Sequence, residues 1–214
     1  MRVMIIGGSG VTGIEVISQL LNCEQLTELI AVNRTESNIE HPKYREKLIP
    51  QMTEESLMAI DSKADYYICC LGSTIKKAGS RENFKFVDHH LVVAFGKKAI
   101  KDQAKSFHVI SAMGSDSSSM FFYNRVKGEM EASLKALGLN SLYIYRPSLL
   151  VSDRKEFRPT EKVAISALKL MSPLLPTKTK KNMGTKVTCL ASAVVNNVLS
   201  DEQVQLKIIK AIDI

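Results

Sequence analysis

Val3-Met4-Ile5-Ile6-Gly7-Gly8-Ser9-Gly10-Val11-Thr12-Gly13 decides how this chain folds. Four consecutive apolar residues read as a strand buried on both faces, as the strands of parallel sheets are. A helical pattern over 11–21 begins at once. The glycine turn between them therefore sets backbone N–H groups and the positive end of a helix against an anion. Three jobs need glycine here: turning the chain, letting backbone approach a phosphate, and letting the helix pack on the strand. The spacing reads as G-x-G-x-x-G through Gly8, Gly10 and Gly13, or as G-x-x-G-x-x-G through Gly7, Gly10 and Gly13. Either reading points to a dinucleotide with its pyrophosphate on the turn. A plain strand-to-helix turn needs fewer positions without side chains.

Beyond this turn, strand and helix patterns alternate. Strands are predicted over 3–6, 29–33, 47–49, 66–71, 107–111 and 142–145, and helices over 11–21, 54–60, 84–104 and 121–137. After Arg146-Pro147 the alternation weakens. There follow a helix over 161–171, a loop holding Pro173, Pro176, Lys178, Lys180, Lys181 and Lys186, a helix around 190–199, and an apolar run over 206–209. Regular alternation with short connections predicts an α/β fold, a doubly wound parallel sheet with helices on both faces. The expected organisation is a single domain, with a dinucleotide-binding core over 1–150 and a small C-terminal cap over 151–214. Ligands of such sheets lie beyond the carboxyl ends of the strands. That edge holds the turn at 7–13, Asn33-Arg34, the loop at 71–74, Ser111-Ala112-Met113-Gly114 and the stretch 146–149.

Composition narrows the class. With 214 residues, 45% of them hydrophobic, the chain can bury a sizeable core. No apolar run approaches the roughly 18 residues of a membrane-spanning helix, and the first residues read as a strand rather than a signal peptide. Cys23, Cys69, Cys70 and Cys189 show no C-x-x-C spacing, which suits a reducing compartment, and a cytoplasmic location is expected. The net charge of +7 permits attraction to polyanions. Its densest cluster lacks interleaved aromatics, so a solvated loop is expected and no nucleic acid. His41, His89, His90 and His108 lack ligand geometry, and no metal is expected.

The second strand ends Ala31-Val32-Asn33-Arg34, where an NAD-selective site would place a carboxylate for the adenosine ribose. Asn33 brings no charge to repel a 2′-phosphate, and the Arg34 guanidinium can grip one. NADP(H) is the preferred cofactor, with NAD(H) as the lesser choice.

Tyr123-Asn124-Arg125-Val126-Lys127 places a phenol and an ammonium four residues apart, on one face of a helix. A free tyrosine has a pKa near 10. A neighbouring cation is expected to lower it, making Tyr123 a general acid for carbonyl reduction. Ser111 closes the preceding strand in an S-x-x-G pattern suited to orienting a carbonyl. Ser111, Tyr123 and Lys127 are therefore the expected catalytic set.

Taken together, these motifs resemble the atypical branch of the short-chain dehydrogenases/reductases, and within it the Tat-interactive oxidoreductase type. The likeness rests on the glycine turn, Cys69-Cys70-Leu71-Gly72-Ser73-Thr74, the stretches 109–114 and 123–129, Tyr145-Arg146-Pro147, Asp153-Arg154 and Glu156-Phe157-Arg158-Pro159. It covers most of residues 1–176. The resemblance implies a Rossmann-like fold with a cofactor laid along Gly7, Ser9, Gly10, Val11, Thr12 and Gly13. Asn33 and Arg34 would lie at its 2′ end, and Leu71, Gly72 and Ser73 beneath the ribose and pyrophosphate. It further implies that Lys127 holds the nicotinamide ribose, that the stretch from Pro147 to Leu149 lines the carboxamide, and that Tyr123 donates a proton while Ser111 holds the carbonyl oxygen. Relatives often carry Asn where this chain has Asp88, which is read either as a proton relay or as a structural carboxylate. They also often carry Ser-Ser where it has Ser111-Ala112.

Two functions remain open: an NADP(H)-dependent oxidoreductase acting on a small carbonyl or alcohol, and an NADP(H)-binding regulatory or partner-binding protein with little turnover. A nucleotide-sugar epimerase is less favoured, because few residues follow Pro147 to build a substrate domain. In relatives the helices over 84–104 and 121–137 commonly pair, so a homodimer is compatible with the chain.

Overall fold

The strand opening the chain is the centre of the fold. A computed structural model describes residues 1–151 and 184–214. The helix expected over 161–171, the stretch 153–159 and Lys178, Lys180 and Lys181 lie outside the described residues. Within them, β1 (Arg2–Ile6), β2 (Glu28–Asn33), β3 (Tyr44–Leu48), β4 (Tyr66–Cys69), β5 (Ser106–Ile110), β6 (Leu142–Arg146) and β9 (Leu206–Lys210) form one sheet. Its order is β3-β2-β1-β4-β5-β6-β9, and every adjacent pair is parallel. The order reverses between β1 and β4, so the glycine turn lies where ligands of such sheets bind.

Strand residues alternate between two cores, as the period of two requires. Val3, Ile5, Leu29, Ala31, Tyr143 and Tyr145 face α1 (Val11–Leu21) and α7 (Val187–Leu199). Met4, Ile6, Ile30, Val32, Val109 and Ile144 face α2 (Glu54–Met58), α5 (Leu91–Lys101) and α6 (Phe122–Ala136). Helices thus cover both faces of a doubly wound sheet, as the alternation predicts.

Four local features depart from the sequence reading. β3 starts three residues before the predicted 47–49, because Tyr-Arg-Glu-Lys-Leu is an edge strand whose charged residues hide the strand pattern. The helix predicted over 84–104 is broken into α4 (Arg81–Lys85), a π-helical turn over Phe86–His90, and α5. Ser80 caps its start by accepting the Asn83 N–H, and Gln103, at φ 57°, follows its end. A one-turn helix, α3 (Ile75–Ala78), follows β4. A two-stranded parallel sheet pairs β7 (Leu149–Val151) with β8 (Gly184–Lys186), so Lys186 belongs to a strand rather than to the expected basic loop. The apolar run at 206–209 becomes β9, the seventh strand.

Candidate functional site

The glycine turn is built so that almost no side chain fits. Gly7 stands at φ +80°, and a Cβ there would come 2.6 Å from the Cys70 carbonyl carbon. A Cβ on Gly13 would come 2.3 Å from the Gly7 oxygen, so α1 packs on the turn backbone to backbone. Gly10 donates its N–H to the Gly7 oxygen at 3.1 Å and caps α1 without a side-chain hydrogen bond. The first N–H groups of a helix have no partner within it, and among the described residues no side chain caps them. Ser9, Gly10 and Val11 are exposed, while Thr12 and Gly13 are buried. A cradle with such sterics and uncapped donors fits a pyrophosphate.

At the end of β2, Asn33 is buried and Arg34 exposed. The Asn33 oxygen lies 3.5 Å from where a Gly8 Cβ would be. Its amide N–H donates to Glu46 Oε1 at 2.7 Å, and Glu46 also accepts from the Ser37 N–H at 2.9 Å and the Tyr44 hydroxyl at 3.1 Å. Burial alone would raise the Glu46 pKa, but these hydrogen bonds hold it below the ordinary glutamate value. A carboxylate does stand behind this end of the site, then, supplied by β3 rather than by the end of β2. The linear spacing that searches for it after the last glycine cannot find it.

At the opposite end, Tyr123 and Lys127 rise from one face of α6. The Phe84 ring lies 5.6 Å from that of Tyr123. Lys127 is 2% exposed, and its Nζ lies 2.8 Å from Asp88 Oδ1. The second Asp88 oxygen accepts the Ser73 N–H at 2.9 Å, which ties in the loop of Leu71, Gly72 and Ser73. Burial works against the Lys127 charge, yet Asp88 and Tyr123 more than offset it, and the ammonium is held well above the ordinary lysine value. The Tyr123 phenol goes the other way from the sequence expectation. Burial raises its pKa, the Lys127 charge lowers it, Asp88 raises it again, and the sum lies above the ordinary tyrosine value. Burial outweighs the downward pull of the neighbouring cation, and Asp88 adds to it, so the phenol stays neutral.

Ser111 differs from expectation as well. It is buried, and its hydroxyl donates to Glu131 Oε1 at 2.6 Å while sharing a 3.0 Å contact with the Ser115 hydroxyl. Glu131 in turn binds Arg146 through both oxygens, Nε to Oε1 at 3.0 Å and Nη2 to Oε2 at 2.5 Å. The Ser111 hydroxyl therefore gives its proton to Glu131, whose partner Arg146 is partly exposed. Glu131, like Glu46, is a residue the sequence reading missed. It continues the face of Tyr123 and Lys127 by one further helical turn, and that spacing was the available signal. The buried Pro147 accepts the Met113 N–H at 2.8 Å, joining the loops after β5 and β6, and Leu149 is exposed at the start of β7.

With this geometry in place, relatives can be compared. The chain is 30% identical over 212 residues to protein HTATIP2 of Rattus norvegicus, spanning 97% of this chain and 85% of that one. The chain is an atypical short-chain dehydrogenase/reductase. This family member is also 32% identical over 169 residues to the protein fmp52, mitochondrial, of Emericella nidulans, covering 76% of this chain and 72% of the relative. No protein-family model matches. Among solved structures, the oxidoreductase ylbE of Lactococcus lactis superposes with TM-score 0.70 at 17% identity, covering 98% of this chain and 90% of that one. Human epimerase family protein SDR39U1, solved with NADPH, gives TM-score 0.66 at 15% identity over 98% and 73%. MoeE5, solved with UDP-glucuronic acid and NAD, gives 0.72 at 13% over 99% and 76%. At such identities these structures establish the fold.

The cytoplasmic expectation is corrected by the fungal relatives, which are named mitochondrial. All four cysteines are free. Among the described residues no helix is long and apolar enough to cross a membrane.

Proposed function

We propose that this chain is an NADP(H)-dependent oxidoreductase acting on a small carbonyl or alcohol. The observation that carries the reading is the placement of Tyr123 and Lys127 on α6, at the same carboxyl edge as a glycine cradle that a single Cβ would block. The nicotinamide group, when bound, supplies the hydride chemistry. The chain's residues bind and orient it. Backbone N–H groups from Ser9, Val11, Thr12 and Gly13 receive the pyrophosphate, and Gly7 and Gly10, joined by their own hydrogen bond, shape the turn that presents them. Asn33 and Arg34 meet the 2′ end, and the Glu46 Oε1 atom is engaged by Asn33, Ser37 and Tyr44 rather than offered to a ribose. Leu71, Gly72 and Ser73 form the floor beside the ribose, Lys127 holds its hydroxyls, and Pro147 and Leu149 border the carboxamide. Tyr123, a neutral phenol, gives its proton to the substrate oxygen. Ser111 enters this reading only by exchanging its Glu131 bond for one to that oxygen.

A second reading, dinucleotide binding for regulation with little turnover, is favoured by the engagement of the Ser111 hydroxyl with Glu131. One set of measurements separates the two. NADPH and NADH affinities are compared for wild type, Arg34→Ala and Tyr123→Phe, alongside reduction of a carbonyl panel. The oxidoreductase reading expects turnover that Tyr123→Phe abolishes while cofactor binding persists, and a preference for NADPH that Arg34→Ala removes. Tight binding with no turnover by the wild type favours regulation, and equal wild-type affinities reject the NADP(H) preference. The mitochondrial location carried in the fungal relatives' names is proposed for this chain too, and cell fractionation tests it.

A further inference from the structure

Asp88 stands in the π-helical turn Phe86–His90, between α4 and α5. Such a turn interrupts the regular helical repeat and recurs at functional sites. Here it carries a fully buried carboxyl, 0% exposed, against two other elements. One oxygen meets the Lys127 ammonium of α6 at 2.8 Å. The other accepts the Ser73 N–H, from the loop after β4, at 2.9 Å. A cation favours ionisation of a neighbouring phenol only as far as its own charge is uncompensated. At this distance from Asp88, with both side chains buried, the Lys127 charge is compensated.

We propose that Asp88 is a positioning residue for the Tyr123–Lys127 pair, holding Lys127 against the Ser73 loop and keeping the Tyr123 phenol protonated by neutralising the ammonium beside it. The proposal rests on the oxidoreductase reading. It deepens that reading by assigning the site to proton donation, so that the phenol serves carbonyl reduction up to a higher pH than an uncompensated lysine would allow. The reverse reaction, which needs the phenolate, is correspondingly suppressed near neutrality.

The groups acting on Tyr123 from the surrounding elements agree with this assignment. Burial raises the phenol pKa most, Lys127 on its own helix pulls it down, and Asp88 in the π turn pushes it up again. Cys69 of β4 interacts with both ions, but burial pushes its thiol up to about 12, so it is uncharged at neutral pH. Phe84, from α4, brings an uncharged ring.

The test reads the phenol directly and needs no substrate. Protein labelled with ¹³C at tyrosine Cζ is titrated without dinucleotide, and the Tyr123 resonance is identified by its loss in Tyr123→Phe. The wild-type midpoint is expected above the ordinary value of about 10. Asp88→Asn is expected to lower it by roughly one pH unit or more, and Lys127→Met to raise it. An Asp88→Asn midpoint equal to that of wild type overturns the proposal, since a purely structural carboxyl would leave the phenol unmoved. If Asp88→Asn fails to fold, Asp88→Ser is titrated in its place. A midpoint below that of wild type supports the proposal, and an equal midpoint overturns it. Binding of NADPH to wild type is measured in parallel. Its absence rejects the oxidoreductase reading, and with it the catalytic meaning of Asp88, whatever the midpoints show.

Discussion

Glu131 shows how a single buried side chain can tie together the carboxyl ends of two strands. It is 1% exposed, accepts the Ser111 hydroxyl from beyond β5, and pairs with the Arg146 guanidinium at the end of β6. That pairing, ahead of the opposing effect of burial, raises the pKa of Arg146. Truncating Glu131 leaves the buried Ser111 hydroxyl without its acceptor and the partly exposed Arg146 guanidinium without its anion. Glu131→Ala is therefore expected to lower stability by about 2 kcal/mol, read as a shift in the urea midpoint. Glu131→Gln, which keeps the shape and one acceptor, is expected to lose less. If both variants unfold at the wild-type urea concentration, the network does not stabilise the edge.

The helix α5 is anchored in a comparable way but for a different end. Lys98 and Asp102 form an ion pair on successive turns, with side chains 1% and 2% exposed. Asp102 also accepts the Tyr67 hydroxyl from β4, and Lys98 donates to the Ser62 carbonyl at 3.1 Å. The cluster pins the end of α5 to β4 and the loop before it, away from the glycine turn, so its role is to fix the helix that follows the Asp88 turn. Lys98→Met is expected to cost about 3–5 kcal/mol because it leaves Asp102 buried without its cation. The Lys98→Met, Asp102→Leu pair should recover much of that loss in thermal unfolding. A double variant as unstable as the single one would contradict this account.

Across the whole molecule, the core carries its own pH sensitivity. His108 is completely buried in β5, stacked on Tyr143 with ring centroids 4.4 Å apart. Its ring nitrogens contact the Ser106 hydroxyl at 2.8 Å and the Tyr145 hydroxyl at 3.1 Å. Burial pushes its pKa down to about 3, against an unfolded value near 6.5. The unfolded chain therefore binds the proton first as pH falls. The stabilisation is fully present above pH 6.5 and declines by about 1.4 kcal/mol per pH unit as the pH falls from there towards 3. Urea unfolding between pH 7 and pH 4 should show this slope in the wild type and a shallower one in His108→Gln. Equal slopes would mean that carboxylates alone set the acid limit.

Much of this architecture was legible along the chain. β1, β2, β4, β5 and β6 are buried on both faces and read as apolar runs. Gly7 and Gly13 announced their turn because a backbone with no room for a Cβ admits one residue type. The face of α6 showed Tyr123 and Lys127 because helical spacing is a local property. What local spacing cannot hold is the partner each charge meets once the sheet has ordered its strands. Asp88 reaches Lys127, Glu46 reaches Asn33, and Glu131 captures the Ser111 hydroxyl only through the packing of elements distant in sequence. Whether the phenol is activated or kept neutral is a sum of burial and of neighbours in space. Steric fit and hydrophobic period thus fixed the scaffold from adjacent residues alone, whereas folding chose the ionic environment of its reactive groups.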